Sequence, residues 1–166
     1  MNVNIALLTV TDTRTLDTDK SGNILETKIK KANHKLIDRK ICIDSKKEIK
    51  KIIKKWLKKK NIDVIITTGG TGLTGRDITP EALNEIADKH IPGFGEVFRT
   101  LSLKTVGTSS IQSRACAILA KGKYIFALPG SSGGVIDAWD QILIHQLDVN
   151  HKPCNFVELL PRLKEK

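Results

Sequence analysis

The sequence predicts an α/β protein in which helices cover both faces of a mainly parallel sheet, giving a three-layer α/β/α fold. Two observations carry this prediction: short buried strands alternate with helices along the chain, and the strongest strand signal is a β-branched run, as expected for sheets covered on both faces. A length of 166 residues fits one domain over 1–166, whose core needs no disulfide or metal.

Four segments of the chain are predicted to be strands. The run over 62–68 is the clearest because it is rich in β-branched residues, and shorter apolar runs lie at 3–10, 37–43 and 124–128. Right-handed crossovers bring the carboxyl ends of parallel strands to one edge, where open α/β sheets bind their ligands. The residues expected at this rim are Thr11, Asp12, Asp44, the loop 68–77 and the loop 129–134.

Helices are predicted between these strands, and the segment 46–60 is the most regular. Apolar residues from Ile49 to Trp56 recur at helical spacing, while lysines occupy the opposite face. Ser45 and Glu48 form a capping box at its start. The other predicted helices cover 23–33, a segment that Thr79 caps with Pro80 at its first position, 94–103, 108–121 and 135–147. The tail from residue 150 is expected to be extended.

The positive charge is concentrated in one window of the chain. The net charge is +10 at pH 7, and residues 28–60 contain 15 Lys and Arg against 3 Asp and Glu, so the rest of the chain sums to −2. This charge has two possible functional interpretations: a patch that binds nucleic acid, or a helix that lies on a membrane surface. We favour a solvated outer helix, because the basic residues are nearly all lysine and Trp56 lies on the buried face. No nucleic-acid or membrane partner is therefore predicted.

The cysteines and histidines are not spaced as in known disulfide frameworks or zinc sites. Cys42, Cys116 and Cys154 lack a CxxC pair and the four histidines lack HExxH spacing, so neither a disulfide framework nor a zinc site is predicted. The apolar segment near the amino terminus is too short for a signal peptide, and no apolar run reaches the roughly 18 residues of a membrane span. We expect a protein of the reducing cytoplasm.

The loop after the 62–68 strand is rich in glycine. Its glycines are Gly69, Gly70, Gly72 and Gly75. Glycine permits positive φ and close approach of a ligand, and successive backbone N–H groups form an anion-binding nest, so we favour a phosphate or other oxyanion ligand over a mere tight connection. The loop also matches GxGxxG and the glycine spacing of a P-loop. Pro80 delays the helix that a Rossmann motif needs, and Arg76-Asp77 replaces the P-loop Lys-Ser/Thr, so neither motif is supported.

Two acidic residues are expected at the same rim. Asp77 closes the glycine-rich loop, and Asp44 follows the 37–43 strand. A carboxylate lies beside phosphate oxygens when a cation separates them, and Mg²⁺ typically uses one or two carboxylates together with substrate phosphates. The alternatives are local: Asp44 would cap the lysine-rich helix, and Asp77 would form an Asx turn.

Two further segments carry small or hydrogen-bonding residues. Pro129-Gly130-Ser131 follows the 124–128 strand and leaves room for a ligand beside the Ser131 hydroxyl. Ser113 and Arg114 follow a run of hydroxyl residues, and Arg114 fits either a phosphate fork or a surface ion pair.

Five short motifs occur in order along the chain: TTGGTG at 67–72, RDITPE at 76–81, PGFGE at 92–96, Ser113-Arg114 and Leu128-Pro129-Gly130. Together they resemble the MoaB/MogA family of molybdenum cofactor biosynthesis proteins. The resemblance runs from Ile5 to about Asn155, and the loop 11–21 and the segment 153–156 are more similar to the MoaB branch.

The resemblance implies a molybdopterin-binding fold, a homotrimer or homohexamer, and MgATP-dependent adenylylation of molybdopterin, with ATP as co-substrate and Mg²⁺ as cofactor. It implies that Asp44 and Asp77 are the catalytic and metal-binding carboxylates. The implied nucleotide- and substrate-binding residues are Thr68, Gly69, Gly70, Thr71, Gly72, Ser113, Arg114, Pro129, Gly130 and Ser131. The alternative is a molybdopterin-binding or carrier protein of the same pathway with little or no activity, since the MoaB branch contains such members.

Overall fold

The computed structural model describes residues 2–165. Its strands are β1 (Asn4–Val10), β2 (Lys35–Cys42), β3 (Val64–Thr68), β4 (Lys89–His90), β5 (Cys116–Ala120) and β6 (Lys123–Leu128). Its α-helices are α1 (Lys20–Lys31), α2 (Lys46–Leu57), α3 (Thr79–Asn84), α4 (Pro92–Val106), α5 (Ser132–Ala138), α6 (Ile144–Gln146) and α7 (Phe156–Leu159). The described chain also contains 3-10 helices at Gly107–Gln112 and Leu160–Arg162 and a π-helical turn at Trp139–Leu143.

The strands form one sheet in the order β2-β1-β3-β6-β5-β4. The first four are parallel, which confirms the predicted, mainly parallel α/β architecture and all four predicted strands. β5 is antiparallel to β6, and the two-residue strand β4, which the sequence did not predict, is antiparallel to β5.

The predicted helix over 108–121 is wrong. Its first part is the 3-10 helix and its second part is strand β5. Lys121 and Gly122 both have positive φ, 51° and 73°, the geometry of a tight two-residue β-hairpin turn. Pairing with β6 across this turn gives the backbone of β5 its hydrogen bonds, so tertiary partners outweigh the local helical pattern.

Helices cover both faces of the sheet, as predicted for three layers. On one face, α1, α4 and α5 enclose a core that includes Leu25, Phe126 and Trp139. On the other face, α2 and α3 enclose a core that includes Trp56 and Ile65. Both faces of the central strands are therefore buried, which explains why their sequences are continuously apolar.

Helix α2 has the amphipathic form that its sequence predicts. Its apolar side chains are buried, and Trp56 Nε1 donates a hydrogen bond to Asp38 Oδ2 at 2.8 Å. Ser45 caps the helix by accepting a hydrogen bond from the Glu48 N–H, so the alternative role of Asp44 as the cap is wrong.

The segment after residue 150, expected to be extended, contains the short helix α7. Asn155 Oδ1 accepts a hydrogen bond from the Glu158 N–H at 2.9 Å and so caps this helix. Within residues 2–165, no helix combines the length and the apolar character that crossing a membrane requires.

The carboxyl ends of β1, β3 and β6 lie side by side. Thr9 of β1 is in register with Thr68 of β3, and Thr68 with Leu128 of β6. The segments that follow these three strands consequently leave the sheet at one edge, and this edge carries the candidate site.

Candidate functional site

A cavity of about 460 Å³ opens at the carboxyl ends of these strands. Seven of its lining residues are predicted site residues: Asp44, Thr68, Gly69, Gly70, Asp77, Gly130 and Ser131. Its other lining residues are Thr9, Val10, Thr11, Asp12, Thr13, Arg14, Ser21 and Arg76. The structure thus brings together residues from five separate stretches of the chain.

The backbone at Gly69 and Gly70 has a conformation that favours glycine. Their φ angles are +101° and +67°. A Cβ atom at Gly69 would lie closer than 3.0 Å to the Val10 carbonyl oxygen, and one at Gly70 would lie closer than 3.0 Å to Thr79 Oγ1. The loop therefore passes against β1 on one side and α3 on the other, and neither contact leaves room for a side chain.

Two threonine hydroxyls hold this loop in place. Thr79 Oγ1 donates to the Gly69 carbonyl at 2.9 Å, and the Thr79 N–H donates to the Gly70 carbonyl at 3.0 Å. Thr68 Oγ1 donates to the Pro129 carbonyl at 2.7 Å. The prediction that Thr79 caps α3 is therefore wrong: Ile78 precedes the helix without a side-chain cap, and the Thr79 hydroxyl bonds to the loop instead.

Asp77 is held at the mouth of the loop in its ionised form. Its Oδ2 accepts hydrogen bonds from the Thr74 N–H at 2.9 Å and from Thr74 Oγ1 at 2.7 Å. Burial acts to raise the pKa of Asp77, but these hydrogen bonds, with one from the Gly72 backbone, outweigh it and hold the pKa below its usual value. The carboxylate is therefore negative near neutral pH.

The surroundings of Asp44 disfavour the ionised form of its carboxyl group. Burial, and second the negative charge of Asp77, raise the pKa of Asp44 above its usual value. Its backbone N–H donates to Asp12 Oδ1 at 2.9 Å, so a third carboxylate lies nearby. A cation in this cavity would relieve the repulsion between Asp44 and Asp77.

The donor set of the cavity fits a magnesium ion that is shared with a phosphate ligand. In the described part of the chain, no cluster of three or more His, Cys, Asp or Glu side chains could hold an ion by protein ligands alone. Mg²⁺ bound to substrate phosphates needs only one or two carboxylates, and Asp44 and Asp77 could supply them.

Arg114 lies behind the glycine-rich loop rather than in this cavity. Its Nε donates to the Gly72 carbonyl at 2.7 Å, one terminal nitrogen donates to the Asp77 carbonyl at 2.6 Å, and the other forms an ion pair with Glu81. The guanidinium therefore fixes the position of the loop. The sequence left open a phosphate contact or an ion pair for Arg114, and the structure contains the ion pair.

Ser113 and Arg114 line a second cavity of about 480 Å³. Its other lining residues are His90, Ile91, Pro92, Gly95, Glu96, Arg99, Ile111, Ala115, Cys116 and Ala117. The Arg114 N–H donates to the Thr71 carbonyl at 2.8 Å, so the glycine-rich loop contacts a residue that lines the second cavity, although the loop itself does not line it. Thr71, Gly72 and Pro129, also predicted as binding residues, do not line the first cavity, although Thr71 follows the lining residue Gly70 and Pro129 precedes the lining residue Gly130.

The sequence analysis placed Asp12 and the loop 68–77 at the rim, but it did not name Asp12, Arg14 or Arg76 as site residues. Asp12 forms an ion pair with Arg76 across the first cavity. Arg14 reaches the Gly130 carbonyl at 3.3 Å and Ser21 Oγ at 3.4 Å. The position of this loop after a strand predicted that it would lie at the rim, but only the folded structure shows which of its side chains enter the cavity.

Comparison with known proteins gives matches over most of the chain. The profile of the family described as "Probable molybdopterin binding domain" matches residues 6–149. Molybdenum cofactor biosynthesis protein B of Escherichia coli strain K12 is 42% identical over 152 residues, which cover 92% of this chain and 89% of that protein. The protein of the same name from Bacillus cereus is 41% identical over 146 residues, which cover 87% of this chain and 86% of that protein.

Solved structures agree with these sequence matches. A crystal structure of Molybdenum cofactor biosynthesis protein B has a TM-score of 0.89 at 36% identity and covers 100% of this chain and 98% of its own. The tungsten cofactor synthesizing protein MoaB from Pyrococcus furiosus has a TM-score of 0.81 at 30% identity, covering 99% of this chain and 98% of its own.

Proposed function

Because the chain belongs to the MoaB/MogA family of molybdenum cofactor biosynthesis proteins, we propose that it catalyses the MgATP-dependent adenylylation of molybdopterin. The observation that carries this proposal is the first cavity, which the backbone at Gly69 and Gly70 and the carboxylates Asp44 and Asp77 line together. The Gly69 N–H donates to the Leu128 carbonyl, so other backbone N–H groups of the loop would bind the phosphate oxygens, and the carboxylates suit the cation that accompanies a triphosphate.

The reaction needs no nucleophilic side chain from the protein. An oxygen of the terminal phosphate of molybdopterin attacks the α-phosphate of ATP, a P–O bond forms there, and the bond to the β-phosphate breaks to release pyrophosphate. The protein contributes positioning and stabilisation of charge. Asp44 and Asp77 would hold Mg²⁺, which supplies neutralising charge to the phosphate oxygens when it is bound.

The glycine-rich loop is proposed to bind the triphosphate. Its shape is fixed before any ligand arrives, because Thr79 bonds to both the Gly69 and the Gly70 carbonyl and the Arg114 guanidinium holds Gly72. A loop that is already ordered loses little conformational freedom on binding, which favours both affinity and alignment.

Molybdopterin is proposed to lie in the second cavity, with Ser113 at its phosphate end. Two cavities suit a reaction between two substrates, and Arg114 connects them, because it lines the second cavity and bonds to Thr71 and Gly72 of the loop that lines the first. Arg114 then acts as a positioning residue, because its guanidinium is committed to the loop and to Glu81.

We propose that the protein works as a homotrimer or homohexamer in the cytoplasm. Apolar side chains are exposed at the end of α4 and on the following 3-10 helix, and this supports assembly because large exposed apolar patches mark interaction sites. These are Leu103 (51% exposed), Val106 (54%) and Ile111 (76%). Light scattering should give three or six times the chain mass of 18.4 kDa, and a mass of one chain at micromolar concentration would contradict assembly.

A pyrophosphate-release assay with the purified protein tests the proposed reaction. Release should require ATP, Mg²⁺ and molybdopterin together, and the product should carry AMP. Molybdopterin binding without any pyrophosphate release would instead identify a carrier or an inactive member of the same pathway.

A further inference from the structure

The first cavity contains one arginine whose charge has no acidic partner in the described structure. Its lining includes the carboxylates Asp12, Asp44 and Asp77 and the guanidinium groups of Arg14 and Arg76. Arg76 is paired with Asp12. Arg14 donates only to a carbonyl at 3.3 Å and to a hydroxyl at 3.4 Å, both long hydrogen bonds, and among residues 2–165 it makes no ion pair.

The hydroxyl that receives Arg14 is itself oriented by a buried network. Ser21 Oγ donates to Asp19 Oδ1 at 3.2 Å, which leaves the Ser21 oxygen free to accept from Arg14. Asp19 is fully buried, and it also accepts hydrogen bonds from Thr9 Oγ1 at 2.6 Å and from Arg39 at 3.0 Å. Arg14 therefore rests against a fixed part of the fold while most of its N–H groups stay available.

We infer that Arg14 is a phosphate-binding residue of this cavity. A guanidinium presents several N–H groups in a planar fork that matches two oxygens of one phosphate. The contacts to Gly130 and Ser21 are weak enough to be exchanged for charge-assisted ones when an anion enters. The inference rests on the proposed function for the source of the phosphate, which is either the nucleotide or the terminal phosphate of molybdopterin.

The contribution of Arg14 can be measured by binding, without any turnover. Isothermal titration would compare wild type, Arg14→Gln and Arg14→Lys with magnesium pyrophosphate, MgATP and molybdopterin as separate ligands. A charge-assisted contact of this kind predicts a loss of about 10- to 100-fold in affinity for Arg14→Gln, with a smaller loss for Arg14→Lys, which keeps the charge but not the fork.

Arg162→Gln is the matched control because it removes the same charge from an exposed position near the carboxyl terminus. It should change each affinity by less than about twofold, as expected for a distant, screened charge. Circular dichroism and thermal unfolding would verify that every variant is folded.

The three ligands separate the outcomes. A loss of affinity for pyrophosphate and MgATP assigns Arg14 to the nucleotide, and a loss for molybdopterin alone assigns it to the pterin phosphate. If Arg14→Gln binds all three ligands like wild type, or if wild type binds none of them, the inference is overturned. If wild type releases no pyrophosphate but Arg14→Gln still loses phosphate affinity, the proposed reaction fails while the assignment of Arg14 holds.

Discussion

Replacing Gly69 by alanine tests whether the glycine-rich loop is fixed by its contact with β1. Gly69 has a φ of +101°, and a Cβ atom there would lie closer than 3.0 Å to the Val10 carbonyl oxygen and 3.3 Å from its carbonyl carbon. The obstacle is backbone of a central strand, which cannot move aside as a flexible side chain could. The Gly69→Ala protein must therefore shift the loop or the end of β1.

The expected cost combines three terms. A residue other than glycine in such a φ region is strained by about 1–3 kcal/mol. Forcing atoms into an occupied space adds about 1–3 kcal/mol. The smaller freedom of alanine in the unfolded chain offsets about 0.4–1 kcal/mol of this. We expect Gly69→Ala to lower the free energy of unfolding by about 1–5.5 kcal/mol, the range that these terms give together.

Urea unfolding, followed by the fluorescence of the buried Trp56 and Trp139, would measure this change. Gly75→Ala is the matched control: it lies in the same loop, but a Cβ atom there would have no atom within 4 Å. Its free energy of unfolding should stay within about 0.5 kcal/mol of wild type. Equal stability of the two variants would refute the packing argument for Gly69.

Three further predictions concern the charged residues around the loop. Asp77→Asn should reduce pyrophosphate release by at least about 100-fold while keeping the fold, because an amide oxygen can still accept from Thr74; unchanged release, relative to Glu165→Gln, would remove Asp77 from the proposed chemistry. Arg114→Gln should lower the free energy of unfolding by about 1–3 kcal/mol, since two loop carbonyls lose their donor; an unchanged urea midpoint would contradict this. Because the folded-state pKa of Asp44 is raised, its ionised form destabilises the fold, so Asp44→Asn should raise stability at pH 7. That gain should vanish as pH falls through the folded-state pKa towards the ordinary value of 3.8, and a gain independent of pH would argue against it.

Local sequence patterns predicted those strands and helices whose apolar pattern is complete within one segment of the chain. The β-branched run at 62–68 and the apolar face of α2 are each complete within one segment, and the structure contains both. Strand β5 was missed because its partner β6 lies across a turn, and a short apolar run fits a helix as well as a strand. The signal that could have found it is Gly122 between two apolar runs, because glycine is common at the second position of a two-residue hairpin turn.

The residues of the candidate site likewise divide into those that the sequence predicted and those that it did not. Strand ends predicted that Asp44, Asp77 and the glycine-rich loop would meet at one edge, because topology alone decides this. The contacts that long side chains make could not be predicted from the strand order. Arg14 and Arg114 each reach residues far away in the sequence, at Gly130 and Gly72, and those partners exist only once the chain has folded.

The raised pKa of Asp44 links stability to function in this cavity. Burial and, after it, repulsion by the negative charge of Asp77 disfavour the ionised form of Asp44, while hydrogen bonds from Thr74 keep Asp77 charged. This repulsion destabilises the free protein, and a divalent cation shared with a phosphate ligand would remove it. It follows that Mg²⁺ and a nucleotide together should raise the thermal midpoint by more than the sum of their separate effects. In Asp44→Asn the extra stabilisation should largely disappear, whereas equal coupling in both proteins would show that the carboxylate pair is not the cation site.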